Sequence, residues 1–186
     1  MNPSEFVLTL LESNQGSIKG RTLLQKTCYF VAVLLEFENE MDFHPHFYGP
    51  YSPLIDQAVN ELVGLGLIEQ KSIGFGASDI RGFEVRRYDF KITDDGQEVL
   101  QVFRRKDPDT FRRIQTVAQK IKDLGDINYF DLSIAAKAYH VIRSQNRALT
   151  RQEIVREASH LGWKIEPTSL NQAVRVLQAL GLAASN

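Results

Sequence analysis

The sequence predicts a mostly α-helical α+β protein with two winged-helix-like modules, and three features indicate that fold class. Apolar residues recur at helical spacing along most of the chain, and residues 67–92 alternate in the manner of a β-hairpin. Each half also ends its third helix with Leu-Gly-Leu, at 65–67 and at 180–182. Three helices followed by a hairpin give the winged-helix order, a variant of helix-turn-helix.

The predicted organisation has three segments. A first module at 1–92 precedes connecting basic helices at 93–128, and a second helix-turn-helix module at 129–186 follows. The breaker-rich stretch 125–128 marks the boundary between the basic helices and the second module. The wing of the second module is cut short, because 182–184 is at most the start of a strand.

The central element of the first module is a helix predicted from Arg21 to about Glu38. Its residues are apolar on nearly every side, which is typical of a buried helix. A helix capped by Asn2 precedes it, and an extended piece at 43–48 follows. Gly49-Pro50 then turns the chain into an amphipathic helix that is capped by Ser52.

The remaining elements follow from breakers and capping residues. Candidate hairpin strands at 67–73 and 83–92 flank a glycine-rich loop at 74–79, and a shift in apolar phase predicts a bulge near Arg86-Arg87. Later helices are expected to begin after Thr93, Asp107 and Thr150, at Asp131 and at Pro167. Thr150 and Glu153 have the spacing of a capping box.

Composition is ordinary for a globular protein, with 43% hydrophobic and 24% charged residues. No apolar run reaches the roughly 18 residues typical of a membrane span, so no membrane partner is expected. The N-terminus lacks a basic region before its apolar residues, which argues against a signal peptide. A single cysteine, Cys28, fits a reducing compartment, and we expect a cytoplasmic protein.

Charge is distributed unevenly along the chain. Residues 1–100 carry 8 basic and 15 acidic side chains, a net charge of −7, whereas 101–186 carry 14 and 8, a net charge of +6. The basic half could contact DNA, or it could contact the acidic half of a second copy in a homodimer. A third interpretation is that the two halves only have differently solvated surfaces.

Nucleic-acid contacts are predicted where basic or amide side chains cluster on the hairpin, the connecting helices and the last helix. These candidates are Arg81, Arg86, Arg87, Arg104, Arg105, Arg112, Arg113, Gln172 and Arg175. Arg147 and Arg151 lie near the start of the preceding helix. An ordinary polar helix face explains the last-helix residues equally well.

Protein contact is predicted for the first module, because its third helix has acidic residues and no basic ones. The candidate partner-binding residues are Tyr48, Tyr51, Asp56 and Glu61. The sequence Tyr48-Gly49-Pro50 is explained more simply as a structural turn, although its tyrosines leave room for a partner.

The sequence gives little support for catalysis, and no cofactor is expected. Cys28 lies on the most apolar helix, where a thiol usually packs without reacting. Asp42, His44 and His46 alternate as metal ligands on a strand do, but Pro45 interrupts them and no fourth ligand is apparent. A metal-dependent enzyme is therefore the least favoured hypothesis.

Two families share residues with the first half. The sequence Ile18-Lys19-Gly20-Arg21-Thr22-Leu23-Leu24-Gln25-Lys26, then Tyr29-Phe30, then Phe47-Tyr48-Gly49-Pro50-Tyr51-Ser52 resembles the YwgA-like family of uncharacterised bacterial and archaeal proteins. The Leu-Gln-Lys and Tyr-Gly-Pro elements also resemble the Panacea antitoxin domain. The first resemblance implies two winged-helix-type modules, and the second implies antitoxin or defence-related partners. Neither implies a set of catalytic residues.

The leading hypothesis is a non-enzymatic DNA-associated regulator or antitoxin-like adaptor. In it, the acidic first module binds protein and the basic second half contacts DNA. The alternative is a protein–protein interaction module of a defence or toxin-control complex that does not contact DNA.

Overall fold

A computed structural model describes residues 1–78, 84–125, 128–145 and 147–183. The protein is mostly helical and has a three-stranded antiparallel sheet, which confirms the predicted α+β class. The elements are α1 (Pro3–Ser13), β1 (Ser17–Lys19), α2 (Arg21–Leu34), α3 (Pro53–Gly64), β2 (Ile68–Ser78), β3 (Glu84–Ile92), α4 (Asp94–Lys106), α5 (Pro108–Lys122), α6 (Tyr129–Ser144), α7 (Arg151–His160) and α8 (Pro167–Ala179). No helix in the described ranges combines the length and the hydropathy needed to cross a bilayer.

Helix α2 is buried as predicted. All of its residues from Leu24 to Val33 are buried, and Phe30 is completely inaccessible to solvent. The helix ends at Leu34 rather than near Glu38, because Glu36 takes a left-handed conformation with φ of 63° that a helix cannot continue through. Helices α5 and α6 both pack on α2, which places it at the centre of the fold.

The sheet contains one strand that the sequence did not predict. Strand β1 pairs with β3, so that Ile18 lies opposite Phe90, and the strand order is β1-β3-β2. Three residues are too few to reveal an alternating pattern, which is why β1 was missed. The winged-helix interpretation of the order α1, β1, α2, α3, β2, β3 stays a prediction.

The hairpin differs from its predicted form. Strand β2 continues through most of the expected loop, as far as Ser78. The register is regular from the Ile68–Ile92 pair to Gly74–Arg86 and then shifts, so an irregularity does occur beside Arg86 as expected, but the extra residues are not in β3. The irregularity lies in β2, where Gly76 has a φ of 66° that accommodates the extra residues.

The extended piece expected at 43–48 does not form a strand of the sheet, and residues 47 and 48 already belong to a turn. Only an isolated bridge joins His44 to Tyr51. Asp42 and Gly49 take left-handed conformations, with φ of 52° and 94°, and therefore bend the chain at both ends of this stretch. The result is a compact loop that leads into α3.

The predicted helix caps are confirmed. Asn2 accepts hydrogen bonds at the start of α1, Ser52 does so for α3, and Thr93 for α4. Asp107 caps α5, and α7 has the expected capping box. Helix α6 begins two residues earlier than Asp131, because Asn128 forms a second capping box with that residue.

A continuous hydrophobic core includes residues from all three predicted segments. Helix α5 packs on α1 and α2, and α6 packs on α2 and α8. The boundaries at 92 and 128 stay a prediction. Leu182 and Ala183 are not in a strand, and the rest of the expected short wing lies outside the described residues.

Candidate functional site

The loop from His46 to Ser52 joins the first module to the last segment. Lys26 of α2 donates a 2.5 Å hydrogen bond to the Pro50 carbonyl, and Ser133 of α6 donates one of 2.7 Å to the Tyr48 carbonyl. The Trp163 indole donates a 2.6 Å hydrogen bond to the His46 carbonyl. We call this the junction loop. Its backbone is therefore held by three separate parts of the chain.

Gly49 fits closely into this junction. Its φ of 94° confirms the positive φ that the sequence predicted. A Cβ at this position would lie 3.0 Å from Lys137 Cγ and 3.6 Å from Lys26 Cε, so a side chain would strain both the backbone and the contact with Lys137. Glycine therefore lets the junction loop lie between two lysine stems.

These two lysines are buried, and no described carboxylate pairs with either of them. Lys26 is 1% exposed, and burial together with the nearby Lys137 charge lowers the pKa of Lys26 to about 7. Burial also lowers the pKa of Lys137, which lies 6.0 Å from the Trp163 ring. Sequence reasoning did not single out either residue. A lysine within an otherwise apolar helix was the available signal for Lys26.

Two aromatic side chains of the junction loop, Phe47 and Tyr48, are exposed. Phe47 is 71% exposed and Tyr48 is 55% exposed, and their rings meet edge to face at 5.0 Å. Tyr129 and Phe130, at the start of α6, are also exposed. The junction loop thus presents apolar rings from a backbone that is well anchored.

The other predicted partner-binding residues are largely engaged within the chain. Asp56 forms a 2.8 Å ion pair with Arg21. Burial raises the pKa of Tyr51, and a hydrogen bond with Asp56 adds to this shift. Glu61 is exposed and accepts a 2.8 Å hydrogen bond from Gln57. Of the four predicted residues, Tyr48 and Glu61 remain on the open surface.

The connecting helices have a basic surface, and three of its seven cations form ion pairs with described residues. Arg104 of α4 lies 2.7 Å from Glu12 of α1, and Lys106 lies 3.3 Å from Glu5. Arg104 also stacks over Phe111 at 4.5 Å. These contacts join the basic half of the chain to its acidic half within one molecule.

Three further predicted arginines lie on the same two helices. Arg112 lies 3.4 Å from Asp109, and Arg113 lies 5.8 Å from the centre of the Phe37 ring. Arg105 is exposed and forms no ion pair with a described residue. The α4–α5 surface is thus less available to an external anion than its sequence suggests.

On the hairpin, Arg87 donates two hydrogen bonds to Asp89, at 2.7 and 2.9 Å, and lies 5.9 Å from the Phe75 ring. Arg86 donates a 3.1 Å hydrogen bond to the Ser72 hydroxyl. Arg81 falls outside the described residues. Arg87 is therefore largely neutralised by its neighbour on the same strand.

A second set of arginines surrounds a groove of about 980 Å³ between α6, α7 and α8. We call it the arginine groove, and its cations are Arg143, Arg147, Arg151 and Arg175. Its apolar lining includes Ile142, Leu149, Ile154, Val174 and Leu182. The arginines come from separate helices and a loop, so their proximity could not be read from spacing.

The four arginines differ in how they are paired. Arg147 lies 2.9 Å from Glu153, and Arg143 pairs with Glu38. Arg151 and Arg175 are exposed and form no ion pair with any residue in the described ranges. Of the two residues predicted on α8, Arg175 lines the groove, whereas Gln172 is half-buried and does not.

The sequence raised two groups that could serve catalysis, the possible metal ligands at 42–46 and the thiol of Cys28. Asp42 lies 2.9 Å from His44, while the His46 ring packs against Tyr51 at 5.0 Å. No three potential ligands gather around a common point among the described residues. Cys28 is fully buried, and burial raises the pKa of its thiol.

No known protein-family profile matches this chain. No curated protein matches it either. The resemblances to the YwgA-like family and to the Panacea domain therefore stay predictions.

Proposed function

We propose that the protein is a non-enzymatic, DNA-associated regulator whose last three helices contact the phosphate backbone. The observation that supports this proposal is the arginine groove, where four guanidinium groups border one concave surface. Arginine suits phosphate because its planar fork can donate two parallel hydrogen bonds. Nucleic acid would supply the anions that the groove lacks.

Within the groove, Arg151 and Arg175 have the largest expected role. Their charges are exposed and not balanced by a described carboxylate, whereas Arg143 and Arg147 already have acidic partners. Arg151 is also the first residue of α7, where backbone N–H groups favour anions. In this proposal the second half contacts DNA through α7 and α8.

Fluorescence anisotropy with a short labelled duplex tests the proposal over a salt series. Each phosphate contact contributes roughly −0.9 to the slope of log affinity against log salt. Arg151→Ala with Arg175→Ala should weaken binding to all sequences and make that slope shallower by roughly 2.

The matched control is Arg156→Ala with Lys164→Ala. It removes the same charge from the same segment, but Arg156 and Lys164 already pair with Glu157 and Glu166. The control should bind much more tightly than the groove variant. Absence of binding at low salt, or equal losses in the two variants, would refute the proposal.

A second candidate function is a protein adaptor without DNA contact, and the junction loop favours it. Exposed aromatic residues on a well-anchored backbone are typical of binding hot spots. Phe47→Ala with Tyr48→Ala should abolish association with a partner protein and leave the melting temperature nearly unchanged. Comparative cross-linking of wild type and variant in cells checks this, and identical cross-linked products would count against it.

A further inference from the structure

A separate cleft of about 220 Å³ lies where the segment after α2 meets α6. It combines both charges with aromatic walls, and its lining includes Tyr29, Glu38, Asn39, Phe43, His140 and Arg143. None of the functions proposed above uses this cleft. We call it the inter-helix cleft.

Glu38 and Arg143 form an ion pair in the cleft that leaves hydrogen-bonding capacity unused. One carboxylate oxygen of Glu38 pairs with Arg143, but the other, Oε2, is buried without a hydrogen bond to any described residue. A buried acceptor without a donor is unfavourable. The Arg143 side chain is 53% exposed, so part of its guanidinium faces open space.

The walls of the cleft add an apolar surface and no further charge. The Tyr29 and Phe43 rings meet edge to face at 5.2 Å. Burial lowers the pKa of His140, which keeps its imidazole neutral near pH 7. The cleft therefore has one positive group and one negative group beside an aromatic wall.

We propose that the inter-helix cleft binds a small zwitterion of the α-amino acid class. Because Glu38 Oε2 is buried in the ligand-free protein, the carboxylate turns toward the cleft and Oε2 then accepts from the ligand ammonium, while the ligand carboxylate accepts from Arg143 and the nearby Asn39 amide. A short apolar side chain rests against the Tyr29 and Phe43 rings. The volume of the cleft suits a ligand of this size.

The two charges of the cleft exclude ligands that carry only one charged group. A monocarboxylate would bring a second anion next to Glu38, whereas an amine would bring a second cation next to Arg143. Only a ligand with both groups satisfies both residues. L-alanine, propionate and ethylamine share nearly the same carbon skeleton and differ in these groups, so they form a matched set of probes.

Titration of the isotope-labelled full chain with each probe, followed by amide NMR shifts, tests the proposal without DNA. L-alanine should produce saturable shifts at Glu38, Asn39 and Arg143, with an affinity in the millimolar range expected for so small a ligand. Propionate and ethylamine should produce no saturable shifts there. Equal responses to the three probes, or none to alanine, would overturn the proposal.

A pair of variants tests the role of Glu38. Glu38→Gln should weaken alanine binding roughly tenfold or more, the usual effect of losing a charge-assisted hydrogen bond. Glu36→Gln makes the same change at an exposed position two residues away and should leave the affinity unchanged. Equal affinity in both variants would contradict the assignment. The three-probe comparison needs no variant, so it decides the question even if Glu38→Gln does not fold.

Discussion

The basic helices α4 and α5 carry seven cations and the arginine groove has four, and in each region only some of them pair with a carboxylate. On the basic helices, Arg104 and Lys106 pair with Glu12 and Glu5 of α1. In the groove, Arg151 and Arg175 have no described acidic partner. The availability of each cation thus depends on its nearest carboxylate, which residue counts along the sequence do not reveal.

The same contacts change the meaning of the charge polarity in the sequence. Ion pairs Arg104–Glu12, Lys106–Glu5 and Arg143–Glu38 each join the basic half to the acidic half within one chain. Opposite charges at the two ends therefore do not require a second copy to balance them. A homodimer stays a prediction, and its affinity would have to come from other surfaces.

The largest effect is expected from the core that supports both basic regions. Phe30→Ala should lower the free energy of unfolding by about 3–5 kcal/mol, because it leaves a cavity in the helix on which α5 and α6 pack. Urea denaturation measures this. The control Phe130→Ala removes a half-exposed ring and should cost much less. Similar stability losses in the two variants would show that α2 is not the central element.

Lys26 extends the comparison to a cation that is neither exposed to solvent nor paired with a described carboxylate. Burial lowers its pKa to about 7 from the ordinary 10.5, so the unfolded chain binds more protons between those values and stability rises with pH. The loss of stability caused by burying the charged lysine is fully present below about pH 7 and is relieved above it. Lys26→Met removes this titration.

The wild type should therefore gain about 2 kcal/mol relative to Lys26→Met between about pH 7 and pH 9. Urea denaturation at a series of pH values checks this. Arg112→Ala, which changes an exposed cation paired with Asp109, should show no comparable pH-dependent difference. Parallel stability curves for wild type and Lys26→Met would contradict this, because they would mean that Lys26 keeps its ordinary pKa in the folded protein.

A smaller effect is expected from releasing the paired cations. Glu12→Gln should free Arg104 and strengthen DNA binding at low salt by a few-fold, while costing about 0.2–1 kcal/mol of stability. Glu61→Gln removes one negative charge from the distant α3 surface and serves as the control. Anisotropy and thermal melts measure both quantities. Equal gains in the two variants would mean that net charge, rather than release of Arg104, controls binding.

Local features of the fold were predictable because they depend on neighbouring residues. Asn2, Ser52 and Thr93 cap their helices as expected, and the all-round apolar pattern of α2 revealed its burial. Features that depend on distant residues were missed. Strand β1 forms only because it pairs with β3. The arginine groove brings together residues of α6, α7 and α8 that are far apart in the sequence.

Arg143 lines both the inter-helix cleft and the arginine groove. A molecule bound in either space therefore changes the surroundings of the same guanidinium group. If a cleft ligand alters the affinity for DNA by some factor, DNA must alter the affinity for that ligand by the same factor. Arg143 would thus couple ligand binding in the cleft to DNA binding in the groove. The size of that coupling is set by how differently Arg143 interacts with DNA when the cleft is filled and when it is empty.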